Sequence, residues 1–193
     1  LMKAAVLTLS FCLISSAIYV FNDINDVEND RKHEIKKNRP IASGQISFPQ
    51  AWVLLVCLTI IGLGISILVN IYSFLLIVAY VFINVLYSKW LKTKAVIDCF
   101  CIAIGFILRV MVGGTIVTAG VSNWMFLTVL ALSLFMAFGK RRGELSSYAG
   151  GETRTVLDMY DLNFLNGIVF MCAGLTVMFY SLWSISQKPR LVY

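Results

Sequence analysis

Residues 22–47 read Asn22-Asp23-Ile24-Asn25-Asp26-Val27-Glu28-Asn29-Asp30-Arg31-Lys32-His33-Glu34-Ile35-Lys36-Lys37-Asn38-Arg39-Pro40-Ile41-Ala42-Ser43-Gly44-Gln45-Ile46-Ser47, with a long apolar segment on either side. The stretch holds five of the chain's ten acids and five of its bases. Asp23, Asp26 and Asp30 are spaced i, i+3, i+7, and Asn22 lies four before Asp26. If the preceding helix continues past Phe21, these four oxygen-bearing side chains share one face. Like charges at that spacing repel, so a cation is expected among them. Carboxylate and amide oxygens are ligands of hard ions, and Mg2+ commonly joins one or two carboxylates to a substrate's phosphates. The bases that follow offer phosphate contacts. Taken alone, the stretch describes a divalent metal and a phosphorylated substrate at a membrane surface. Its bland alternative is a solvated charged loop.

Working outward, the composition excludes a soluble domain, because 59% of the 193 residues are hydrophobic and only 13% charged. The fold expected is all-α, a polytopic bundle of transmembrane helices forming a single membrane-embedded domain over 1–193. A span takes about 20 apolar residues. Six segments qualify: 1–21, 49–69, 72–87, 96–118, 122–139 and 163–186. Tight hairpins are expected at Asn70–Tyr72 and at Ala119–Ser122. Leu1–Phe21 has no charged leader region or small-residue cleavage pattern and reads as a spanning helix. A chain that starts at Leu1 and stops at Tyr193, directly after a helix, reads as a fragment truncated at both ends.

Charge sets the topology. The loops 22–47, 88–95 and 140–162 carry twelve bases, and with six spans all three fall on one side, against Lys3, Lys188 and Arg190 on the other. The positive-inside rule makes the loaded side cytoplasmic, in a multi-pass protein of the cell (inner) membrane. All ten acids lie on that side too. A topology signal accounts for the bases but not for the acids.

Arg109 lies midway along its span, where an arginine costs at least ~2.5 kcal/mol. It is expected to face the bundle interior, on the same side of the helix as Asp98, eleven residues earlier. The alternative is a structural arginine bonded to backbone carbonyls. Gly105, Gly113 and Gly114 on this span allow close helix approach. Gly139-Lys140-Arg141-Arg142-Gly143-Glu144-Leu145 follows the next span. Its cations complement a helix C-terminus, and Glu144 stands four after Lys140. Tyr87-Ser88-Lys89-Trp90-Leu91-Lys92 reads on physics alone as interface anchors. Cys99 and Cys101 read as small core residues. His33 is assigned no role.

Asn22-Asp23-x-x-Asp26-x-x-x-Asp30 followed by Arg39-Pro40-Ile41-Ala42-x-Gly44, with Tyr87-Ser88-x-x-Leu91-Lys92, resembles the UbiA superfamily of intramembrane prenyltransferases. Gly105-Phe106-x-Leu108-Arg109 and Gly139-Lys140-Arg141-x-x-Glu144-Leu145 are similar to its decaprenyl-phosphate phosphoribosyltransferase branch. The resemblance implies a nine-helix fold, of which this chain holds the second to seventh helices. It implies phosphoribose transfer from 5-phosphoribosyl 1-diphosphate to a polyprenyl phosphate, with Mg2+ held by Asn22, Asp23, Asp26 and Asp30. Lys140 and Arg141, then Lys36, Lys37 and Arg39, would bind donor phosphates beside Glu144. Tyr87 and Lys92 would close over the donor, and Arg109 would meet the lipid phosphate or brace the cavity. Ordinary prenyltransferases carry a second Asp-x-x-x-Asp where this chain has Lys140-Arg141, and Asp158-x-x-Asp161 has the wrong spacing for it. A prenyltransferase acting on an aromatic acceptor needs the same first motif. A cation transporter would spread its acids through the membrane depth, whereas these lie at one surface. Partners beyond substrate and lipid are not implied, nucleic acid is not among them, and oligomeric state is left open.

Overall fold

The structure is a computed structural model that describes residues 2–117, 120–146 and 155–186. The backbone divides into two compact units, 1–89 and 90–193. Among the described residues there is no strand. Six helices among these residues are long and apolar enough to cross a membrane, and the protein is a multi-pass membrane protein.

In the first unit, α1 (Met2–Asn25), the short α2 (Val27–Lys32), α3 (Phe48–Val69) and α4 (Ile71–Lys89) follow in order. The α1–α3 crossing is close because Gly62 has no side chain. A Cβ there would come within 2.7 Å of the Ile14 side chain, and the Ser10 hydroxyl donates to the Gly62 carbonyl at 2.7 Å. Ile14 and Ser10 are fully buried at this point. The sequence expectation placed close approach at Gly105, Gly113 and Gly114. A close interhelical contact falls at Gly62, and a Cβ at Gly114 would meet the Val121 side chain. Gly62→Val should destabilise this unit by about 1–3 kcal/mol through overpacking. Thermal unfolding in detergent measures that loss, and an unchanged midpoint would mean that α1 and α3 can simply part.

Helix α4 joins the pair through a Phe11–Tyr80 ring contact, 4.7 Å between centroids. The α3–α4 connection is a single extended residue, Asn70, whose Oδ1 accepts the Tyr72 N–H at 2.9 Å, so the expected hairpin is present. Ser47 starts α3, with Gln50 Oε1 accepting its N–H at 2.9 Å, and Pro49 costs no hydrogen bond in the first turn.

The second unit contains α5 (Ile97–Gly114), α6 (Asn123–Ser146) and α7 (Leu162–Ser186). Its core gathers Cys99, Ala137, Phe138, Val156, Tyr160 and Leu165. Cys99 and Cys101 are buried, as small core residues would be. Helix α6 runs seven residues beyond the apolar limit at 139. Lys, Arg, Glu and Leu are good helix formers, and Gly143 alone opposes them by about 1 kcal/mol. The Lys-Arg-Arg cluster is therefore helical, where the sequence had suggested a loop after the helix.

Candidate functional site

In the first unit the acid face is built by a helix that barely breaks. Asp26 donates its N–H to the Asn22 carbonyl at 2.9 Å, and Asp30 donates to the Asp26 carbonyl at 2.8 Å. Hydrogen bonding thus passes from α1 into α2 through Asp26, whose φ of −99° and ψ of 7° lie in the sparsely populated bridge region. Asn22, Asp23, Asp26 and Asp30 consequently follow helical spacing, as the sequence required. The following loop folds back over them. Ile41 and Ala42 bury themselves against Ile24, Val27 and Ala51. Gly44 takes the left-handed φ of +82° that the turn needs, and Arg31 Nε donates to the Ala42 carbonyl at 3.1 Å.

That fold-back delivers a cation to the acids. Arg39 donates one NH group to Asp23 Oδ1 and to Asp30 Oδ2, at 2.8 Å each. Asp30 is nearly buried, while the arginine side chain is 42% exposed, so part of its surface stays open to solvent. Arg39 was expected to meet donor phosphate. Here it is the counter-ion of the acid face. Lys36 and Lys37 sit in a 3₁₀ turn beside it, half-buried and exposed respectively. His33 Nδ1 accepts the Ile35 N–H at 3.2 Å and closes that turn.

Do these residues suit a divalent ion? Every donor is a hard oxygen, and Asn22 Oδ1 is buried with no hydrogen-bond partner. An orphaned amide oxygen beside carboxylates is what a hard cation would satisfy. Among the described residues no three acids are gathered around one point, and Arg39 pairs with Asp23 and Asp30. The donor set fits Mg2+, with Asn22, Asp23 and Asp26 as the ligand candidates once Arg39 gives up Asp23.

The second unit contains a buried polar knot that the sequence did not indicate. Arg141, 1% exposed, donates Nε to Asp98 Oδ2 and an NH group to Glu144 Oε2, both at 2.6 Å. Asp98 is fully buried, and its Oδ1 accepts the Tyr160 hydroxyl at 2.7 Å. Tyr160 in turn accepts the Val96 N–H at 2.6 Å. This revises three expectations. Arg141 points inward to acids instead of lying open to phosphate. Glu144 pairs with Arg141, three residues before it, and not with Lys140, because the buried guanidinium has the greater need of charge. Asp98 turns to Arg141 and Tyr160, while Arg109 is exposed with its guanidinium 5.0 Å over the Phe106 ring. Lys140 and Arg142 remain exposed, and Arg142 Nε donates to Asn166 Oδ1. Tyr87 is half-buried at the end of α4, and Lys92 half-buried in the 3₁₀ turn Leu91–Thr93.

Burial pushes the Tyr160 phenol well above its ordinary value, and the hydrogen bond to Asp98 adds to that rise. The neutral phenol is thus the form that the fold favours. Its stabilisation is complete below the unfolded value near 10 and is lost as pH rises from there toward the folded value. Melting midpoints should be insensitive to this group at pH 6–9 and fall above pH ~10. Tyr160→Phe should flatten that alkaline decline, and equal slopes for both proteins would count against the bond.

Long apolar helices with most charged side chains near their ends or between them describe a protein embedded in the membrane. The chain belongs to the UbiA prenyltransferase family, which it matches over residues 1–186. It is 34% identical over 187 residues to a protein named decaprenyl-phosphate phosphoribosyltransferase from Mycolicibacterium smegmatis, covering 96% of this chain and 59% of that one. The protein of that name from Corynebacterium glutamicum is 35% identical over 187 residues, covering 95% and 56%. That from Mycobacterium tuberculosis H37Rv is 31% identical over 189 residues, covering 97% and 63%. The chain thus spans less than two thirds of the length of these curated relatives. The fold is shared with a UbiA homolog from Archaeoglobus fulgidus bound to GPP and Mg2+, at a TM-score of 0.83 and 20% identity, covering 98% of this chain and 69% of that one.

Proposed function

We propose that the protein transfers phosphoribose from 5-phosphoribosyl 1-diphosphate to a polyprenyl phosphate in the inner membrane, with its charged loops cytoplasmic. The bond from ribose C1 to the diphosphate oxygen breaks, with oxocarbenium character at C1. A lipid phosphate oxygen forms the new bond to C1 from the opposite face, and pyrophosphate leaves. The acceptor is already an anion, so no general base is needed. Asn22, Asp23 and Asp26 would hold Mg2+, which when bound neutralises the diphosphate and the charge that grows on it as it leaves. Arg39, released from Asp23, becomes available to phosphate. Lys36, Lys37, Lys140 and Arg142 supply further phosphate contacts. Tyr87 and Lys92 are assigned to the donor, and Arg109 to the lipid phosphate or the cavity wall.

One observation carries this reading beyond the family. Among the described acids of the second unit, three are already committed. Asp98 and Glu144 serve Arg141, and Asp161 Oδ2 accepts the Asn163 and Phe164 N–H groups at 3.0 and 3.1 Å to start α7. Lys140 and Arg142 face outward instead. That half of the protein offers cations, which suits a donor with a 5-phosphate as well as a diphosphate. The likeness to phosphoribosyltransferases over at least 95% of the chain supports the same donor. Membranes carrying the protein, incubated with labelled phosphoribosyl diphosphate or labelled prenyl diphosphate, decide the matter. Label should enter the lipid phase as a polyprenyl-phosphoribose from the first. Transfer from the prenyl diphosphate alone would overturn the reading.

A further inference from the structure

Val96 is the one non-glycine residue with a positive φ among the described residues, at φ 68° and ψ −49°. The Ile97 N–H donates to the Ala95 carbonyl at 2.8 Å, two residues back, which makes Val96 the centre of a γ-turn of the rarer, positive-φ hand. A β-branched residue there is strained, and such strain persists only where surrounding contacts over-determine it. Here the restraint is visible. The Val96 N–H is held by the Tyr160 hydroxyl, which is itself fixed by Asp98. The turn is the joint between α5 and the segment that carries Lys92 and Lys94. The other oxygen of Asp98 fixes Arg141, which stands between Lys140 and Arg142 on α6. A single buried carboxylate therefore ties down two cationic segments of the same unit. Neither Asp98 nor Tyr160 is itself exposed to a substrate.

We propose that Asp98 and Tyr160 are positioning residues: through the strained turn at Val96 and through Arg141 they hold Lys92–Lys94 and Lys140–Arg142 in the arrangement that receives the donor's phosphates. This rests on the phosphoribosyl-transfer reading above. A purely structural knot would set how much folded protein survives. A positioning knot sets how well each folded molecule binds donor.

Tyr160→Phe is the first test, because it keeps the ring that stacks on Phe164 and removes only the hydroxyl. Assayed in membranes with the full gene-encoded protein and normalised to folded protein, it should raise the KM for phosphoribosyl diphosphate about threefold to tenfold, the worth of one hydrogen bond, with kcat within about twofold. The KM for the polyprenyl phosphate should not move. Adding Val96→Gly should lower the raised donor KM again, because glycine adopts the turn without strain. An unchanged donor KM in Tyr160→Phe, or a loss of activity that merely follows the amount of folded protein, overturns the positioning role. So does failure of Val96→Gly to restore any donor binding. If the unaltered protein transfers no phosphoribose, the reading of its function fails first and takes this inference with it.

Discussion

Asp26→Ala should abolish transfer, by at least ~100-fold in kcat/KM, while leaving the protein folded in the membrane. The position explains both halves of that expectation. Asp26 sits where α1 gives way to α2, in a backbone conformation that few residues take without reason. The backbone hydrogen bonds through this break are made by the Asn22 carbonyl and the Asp30 N–H, neither of which depends on the Asp26 side chain. The ion pairs that pin the loop to the helix run through Asp23 and Asp30. Alanine at 26 leaves both of those pairs in place. What it removes is a carboxylate placed one helical turn from Asn22, whose orphaned amide oxygen has no protein partner to fall back on. Asp23→Ala would be a less clean experiment, because it also strips Arg39 of one of its two acids. The measurements are the rate of phosphoribose transfer and the thermal midpoint in the presence and absence of Mg2+. A full rate in the variant would remove Asp26 from the metal site. A collapsed midpoint without Mg2+ would show that its role is structural.

The helices and the acid face could be read from the sequence because both depend on local periodicity. Long apolar runs mark spans, and an i, i+3, i+7 series of acids keeps its face if the helix continues. The cation expected among those acids was also foreseeable in kind, though not that Arg39 itself would fill the place. That depends on Ile41 and Ala42 burying against α1, a packing choice that charge patterns do not encode. The knot around Asp98 was harder. Lys140, Arg141 and Arg142 look alike in a sequence. Which of them turns inward is fixed by the phase of α6 against α5, and so by a partner 43 positions earlier. Spacing along α5 identified the face that Asp98 occupies but not the neighbour across it, so nothing in the spacing pointed to Arg141. Hydropathy likewise marked where lipid ends at 139, whereas α6 ends only at Ser146. Tyr160 carried no signal, since a single tyrosine in a charged connection is ordinary.

Asp98→Asn and Arg141→Gln should each destabilise the protein by about 3–5 kcal/mol, and the double variant should recover much of that loss. The two side chains are 0% and 1% exposed, so neither charge has water to turn to. Asparagine at 98 still accepts the Tyr160 hydroxyl, yet it leaves a buried guanidinium with only Glu144, itself 30% exposed, to balance it. Glutamine at 141 leaves a buried carboxylate whose remaining donor is Tyr160. Each single variant thus strands a charge in a site of low polarity, and the stranded charge, more than the lost bond, sets the cost. Together the two changes replace an ion pair with an amide pair of similar reach, and no uncompensated charge remains at its centre. The coupling should be about 2 kcal/mol or more, far above the ~0.5 kcal/mol within which independent sites add. Thermal or denaturant unfolding of the four proteins in one detergent measures it. Additive losses would mean that water reaches Asp98 and Arg141, and that the knot is not sealed. Recovered stability with a donor KM that stays high would separate the two roles of this site, since an amide pair can fill the space without holding Lys140 and Arg142 as firmly as the charged pair does.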